Sequence, residues 1–129
     1  MSTATTTWGT DQTTSIAAST VTSGGGTATT GEIDNNSKMS AEVLVEITFH
    51  ASSDLDVDVY LLRHSGSAYQ DVNDNPDHYV VPLDAGNLAG ITIPVDAFEV
   101  RKFEILVANP GAQDVTATVN YRQSVVTVT

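Results

Sequence analysis

The chain has 129 residues, the size of one ordinary domain, with 16 acidic and 5 basic residues and a formal net charge of -11. It contains no cysteine, which excludes disulfides and thiolate metal sites. The basic residues Lys38, Arg63, Arg101, Lys102 and Arg122 are scattered rather than gathered into a stripe, so the sequence predicts neither direct nucleic-acid binding nor attachment to anionic membranes.

Taken in chain order, residues 1–31 are dominated by Thr and Ser, with Asp11 as the one charged residue and the run Gly24-Gly25-Gly26. They have no basic start and no apolar stretch of the kind a secretory leader carries, so synthesis in a host cytoplasm is expected. No apolar run approaches the roughly 20 residues that span a bilayer. Thr and Val favour extended backbone, and residues 15–22 have the composition of a strand. Two readings of residues 1–31 stay open: an extended arm that reaches a neighbouring subunit, or an edge strand of the chain's own fold. Residues 32–129 are read as a β-sandwich domain.

From Lys38 onward the period of two is clear. In residues 42–50, Val43, Val45, Ile47 and Phe49 share one face and Glu46, Thr48 and His50 the other, with Leu44 as the exception. In residues 55–63, Leu55, Val57, Val59 and Leu61 share a face, opposite Asp56, Asp58, Tyr60 and Leu62. Further strands are predicted over residues 79–83, 88–95, 101–108, 115–122 and 125–128. Turn residues separate them at 52–54, 73–77, 84–87 and 109–111. No segment shows a helical period. Short strands at this spacing predict an all-β, antiparallel two-sheet sandwich or jelly roll.

Several constellations resemble chemistry. Alternation puts Asp54, Asp56 and Asp58 on one face, a spacing that resembles a paired-carboxylate hydrolase site, which would also need a cleft and sugar-stacking aromatics. The wet face of a half-buried strand is the preferred reading, since exposed acids opposite an apolar stripe are the norm in antiparallel sheets. Residues 71–77 (Asp-Val-Asn-Asp-Asn-Pro-Asp) offer oxygen ligands at alternate positions, yet Pro76 stands where an EF-hand needs Gly, and an Asx-rich turn explains them. Asp71 to Asn75 is also similar to the calcium linker of cadherin repeats, over five residues. His50, His64 and His78 show no ligand spacing. Gly24 to Gly26 lacks the Lys of a phosphate loop. Trp8, Tyr60, Tyr69, Tyr79 and Tyr121 could form a sugar platform or serve as core. No catalytic, cofactor-binding or metal-ligating residue is assigned. The expectation is a non-enzymatic protein without a cofactor.

One stretch is familiar: Asp58-Val-Tyr-Leu-Leu-Arg-His-Ser-Gly-Ser-Ala-Tyr69-Gln-Asp71 resembles the strand, tight turn and aromatic of small bacteriophage virion proteins. Ile93-Pro-Val-Asp, Phe103 to Gly111 and Val115 to Arg122 are similar to their C-terminal strands, and Thr13 to Thr22 to their opening strand. The resemblance covers most of the chain. It implies a structural virion protein, foremost a capsid decoration or cement protein on the head exterior. The alternative is a module on the tail or its fibres that recognises glycans or another virion protein. Implied partners are the major capsid protein or other virion proteins. Open sheet edges that need pairing add the expectation of a homo-oligomer, a trimer foremost.

Overall fold

The alternation of apolar and polar residues becomes two antiparallel sheets packed face to face. A computed structural model describes residues 4–8 and 12–128, with 4–8 and 126–128 described by backbone alone. The strands are β1 (Ala4–Trp8), β2 (Thr13–Val21), β3 (Gly26–Thr29), β4 (Ile33–Asp34), β5 (Ser40–Thr48), β6 (Val57–Arg63), β7 (Asp77–Val81), β8 (Leu88–Asp96), β9 (Lys102–Asn109) and β10 (Val115–Val128). The first sheet runs β1-β10-β5-β8, with β2 also on β10 beyond β1. The second runs β3-β9-β6-β7, with β4 also on β9.

The pairs nest. Val57 faces Val81, Ser40 faces Asp96, Ile33 faces Phe103, Val21 faces Val115 and Ala4 faces Val128. This is the register of one long hairpin, rolled so that successive strand pairs alternate between sheets, which is the connectivity of a jelly roll. Of the two architectures the sequence allowed, the topology is this one. The hairpin tip is the segment between β6 and β7, where Val72–Asp74 makes one 3-10 turn.

Burial follows the pleat. Val43, Val45, Ile47, Val57, Val59, Phe103, Ile105 and Val107 are fully enclosed between the sheets, and Ile16, Val21 and Ile33 join them. β2 thus lies along the edge of the first sheet with two side chains in the core. β3 lies along the edge of the second. Neither β3 nor β4 is predicted by the sequence. Gly24 and Gly25 adopt φ of 73° and 99°, conformations glycine tolerates without steric cost, and turn the chain from one sheet to the other. Their N–H groups donate to the carbonyls of Gly111 and Asn109.

Two expectations are corrected. Leu55 does not share the inward face. It is 49% exposed because β6 starts at Val57, the preceding residues being drawn off the sheet by loop hydrogen bonds. Residues 115–128 form one strand rather than two. Ser124 Oγ bonds Ser40 Oγ, and Gln123 Nε2 donates to Asp34 O and Asn35 Oδ1, so these polar residues are held inside the strand.

Candidate interaction surface

The acidic face of residues 54–58 is not assembled as a site. Asp54 Oδ1 accepts from Ala112 N at 2.9 Å, Asp56 Oδ1 from Leu83 N at 2.7 Å, and Asp58 Oδ1 meets His78 Nε2 at 2.9 Å. Only Asp58 lies in β6. Each carboxylate fastens a different element, so the even spacing along the sequence does not become a pair across a cleft.

The Asp71–Asp77 segment closes on itself as a capped turn. Asp71 Oδ1 accepts from Asn73 N at 2.7 Å and Asp74 Oδ2 from Asp71 N at 2.9 Å, a reciprocal capping box. Asn75 ends it in the left-handed region, and Asp77 forms a two-nitrogen bridge to Arg63. Among the described residues no group of three carboxylates or histidines is placed to hold a metal ion.

The histidines also serve local structure. His50 Nδ1 accepts from Ser52 N and His64 Nδ1 from Gly66 N. His78 stacks on Tyr60 at 4.6 Å. The aromatics divide. Tyr79 and Tyr121 lean on the core, Tyr69 packs edge-on against His64, and Tyr60 stands on the outer face of the second sheet. The Trp8 side chain lies outside the described residues. Partial burial first, and then the neighbouring Glu32 carboxylate, push the Tyr69 phenol well above its usual value. Its shielded Oη approaches Glu32 without reaching good hydrogen-bond geometry.

What the surface does present is apolar. Beyond β8, Asp96 accepts from Phe98 N through Oδ1 at 2.8 Å, and its carbonyl accepts from Glu99 and Val100. This turn projects Phe98, which is 77% exposed. Phe98, Met39, Ala41, Pro94 and Val95 line a groove of about 570 Å³, with Glu42 and Asp96 at its polar rim. The informative feature is the contiguous apolar groove that Phe98 walls rather than the single exposed ring. The sequence held a hint of it, an aromatic set between Asp96 and Glu99 in a turn, which the strand pattern passed over.

The fold is a jelly-roll β-sandwich with an exposed apolar groove, and the acids and histidines singled out in the sequence bond the chain's own loops and strands. No family model matches the chain, and no curated protein matches it in sequence. Solved structures share its fold. PirA matches with TM-score 0.51 and 16% identity over 81% of this chain and 91% of its own. VP2 of infectious bursal disease virus, in a subviral particle, matches with TM-score 0.51 and 16% identity over 93% of this chain, which spans 32% of VP2. A family 16 carbohydrate-binding module matches with TM-score 0.48 and 14% identity over 85% of this chain and 74% of its own.

Proposed function

We propose that this domain is a structural protein of a bacteriophage particle, a decoration or cement protein on the head exterior. There it would contact the major capsid protein or other virion proteins. The observation that carries the reading is the division of its surface. The acidic candidates for chemistry are spent on the chain's own loops, while Phe98 and its groove are left uncovered. A cement protein works through such surfaces and needs no reacting group. The jelly roll suits the role, since capsid domains are among the proteins built on it, but the fold by itself does not assign function.

The test is quantitative mass spectrometry of particles made by the genome that encodes the chain, before and after stripping with mild denaturant. The expected result is a fixed copy number relative to the capsid protein and weaker particles once it is removed. Absence from purified particles refutes the proposal. The tail-module alternative rests on the Tyr60–His78 stack on an exposed sheet face. Labelling at the tail instead of the head would favour it.

A further inference from the structure

We propose that β8 is a self-pairing edge, through which two copies of this chain join their first sheets antiparallel about a two-fold axis at Ile91. The inference concerns the chain alone and stands apart from the virion assignment. It begins with the direction of backbone groups. Asn87 O accepts from Phe49 N, and Ala97 N donates to Met39 O, at the two ends of the β5–β8 ladder. Odd-numbered residues therefore bond β5, and Leu88, Gly90, Thr92 and Pro94 turn their backbone groups to the open side. Pro94 is tolerated because the N–H it lacks would have faced solvent.

Charge then restricts where a second copy can sit. Two copies at net charge -11 repel, and they can approach closely only where neither carries an acid. No charged residue lies between Leu88 and Val95. The other edges are less suited. β2 is interrupted by register shifts at β10 and by Ala18 at φ 46°, β1, β3 and β4 have five, four and two residues, and β7 carries Asp77 and His78. Bulged, short and charged edges resist strand addition, and a regular uncharged one invites it; Pro94 blunts β8 only towards its C-terminal end, leaving the Leu88, Gly90 and Thr92 N–H groups free to pair.

Shape sets the register. With the axis at Ile91, Gly90 faces Thr92 of the second copy and the two exchange both backbone hydrogen bonds. Leu88 N–H reaches the carbonyl of Pro94 of the second copy. Opposed residues project to the same face. Leu88, 59% exposed, therefore settles on Pro94 of the other copy, beside the groove that Phe98 walls. The symmetry repeats this contact at the other end. An axis at Gly90 would instead set Asp96 against Asp84 of the second copy. A two-fold pair of this kind is a different closed assembly from the trimer expected from the sequence.

Sedimentation velocity of the intact chain at tens of micromolar tests the pairing. The expected result is a dimer. Thr92→Asp, on the exposed face, should give a folded monomer with the parent's circular dichroism spectrum. Thr27→Asp places the same charge on the β3 edge and should stay dimeric. Ile91→Cys should cross-link to its own copy under mild oxidation, since the chain has no other cysteine. A monomeric or trimeric parent, or a dimeric Thr92→Asp, overturns the proposal. A dimer in which Ile91→Cys fails to cross-link overturns its register.

Discussion

Asn109 is 1% exposed and ties three parts of the roll together. Its Nδ2 donates to Val21 O at 3.1 Å and Gln113 O at 2.8 Å, and its Oδ1 accepts from Gly111 N at 3.1 Å. The two carbonyls and one N–H around it fix the orientation of the carboxamide. Asn109→Ala removes all three bonds. Each is worth about 1 kcal/mol net, so the loss should be about 3 kcal/mol. For a domain of this size that lowers Tm by about 15 °C. Asn109→Asp should do more harm at neutral pH, because it turns a carboxylate oxygen toward the Val21 and Gln113 carbonyls with no donor between them. Asn120→Ala is the control. Asn120 Oδ1 is buried without a hydrogen bond, so its removal should cost at most about 0.5 kcal/mol. Thermal melts followed by circular dichroism, with urea titrations, measure all three. If Asn109→Ala lies within about 1 kcal/mol of the parent, or Asn109→Asp matches it, the latch is not what holds β2 to the β9–β10 turn.

Deleting residues 1–22 removes Ile16 and Val21 from the core, worth about 1.5–3 kcal/mol each, and opens the flank of β10, so circular dichroism should report an unfolded or molten chain. A truncation that melts like the parent would mean that these residues are an appendage after all. Tyr69 links stability to alkaline pH. Its phenol is raised in the folded state, so the stability it contributes is complete below about pH 10, the unfolded value, and is lost as pH climbs beyond it. Urea titrations should show Tyr69→Phe losing less stability than the parent above that pH, and parallel losses would refute the link. A chelator should leave the melt unchanged, since the Asp71 and Asp74 carboxylates are already occupied by Asn73 N and Asp71 N. A fall of more than about 5 °C, which is about 1 kcal/mol for a domain near this size, would show a bound metal.

The strands of the inner roll were legible because each carries its own alternation. Val43, Val45 and Ile47 announce β5 whatever they pair with, and β6, β8 and β9 read the same way. The outer turn of the roll was not legible. β3 is Gly-Thr-Ala-Thr and β4 two residues, with too few apolar side chains to show a period. What makes β3 a strand is its register against Leu106 to Asn109, and what fixes the turn before it is Gly111 and Asn109 accepting from Gly24 and Gly25. Those partners lie some 80 residues away in sequence, as the pairing of Gly26 with Asn109 illustrates. Nor could the pattern show Phe98, whose exposure depends on Asp96 folding the turn beneath it.

The acidic surplus has a structural cause that also explains why the candidate sites dissolved. A jelly roll crosses between sheets repeatedly, and every crossing leaves backbone N–H groups that no ladder can satisfy. Carboxylates fill that need over short range at Asp34 and Asp96, which accept from Asn36 N and Phe98 N. They fill it over long range at Asp54, Asp56 and Asp114, which accept from Ala112, Leu83 and Ser23. The long-range caps bolt one loop to another at the ends of the roll. Aspartate suits this better than asparagine because a charged acceptor makes the stronger bond to an N–H. The cost is a net charge that repels other copies everywhere except where the acids stop. Residues 88–95 of β8 are one such stretch, and there the uncharged run coincides with a regular nine-residue ladder, which is why that edge is the one proposed for pairing.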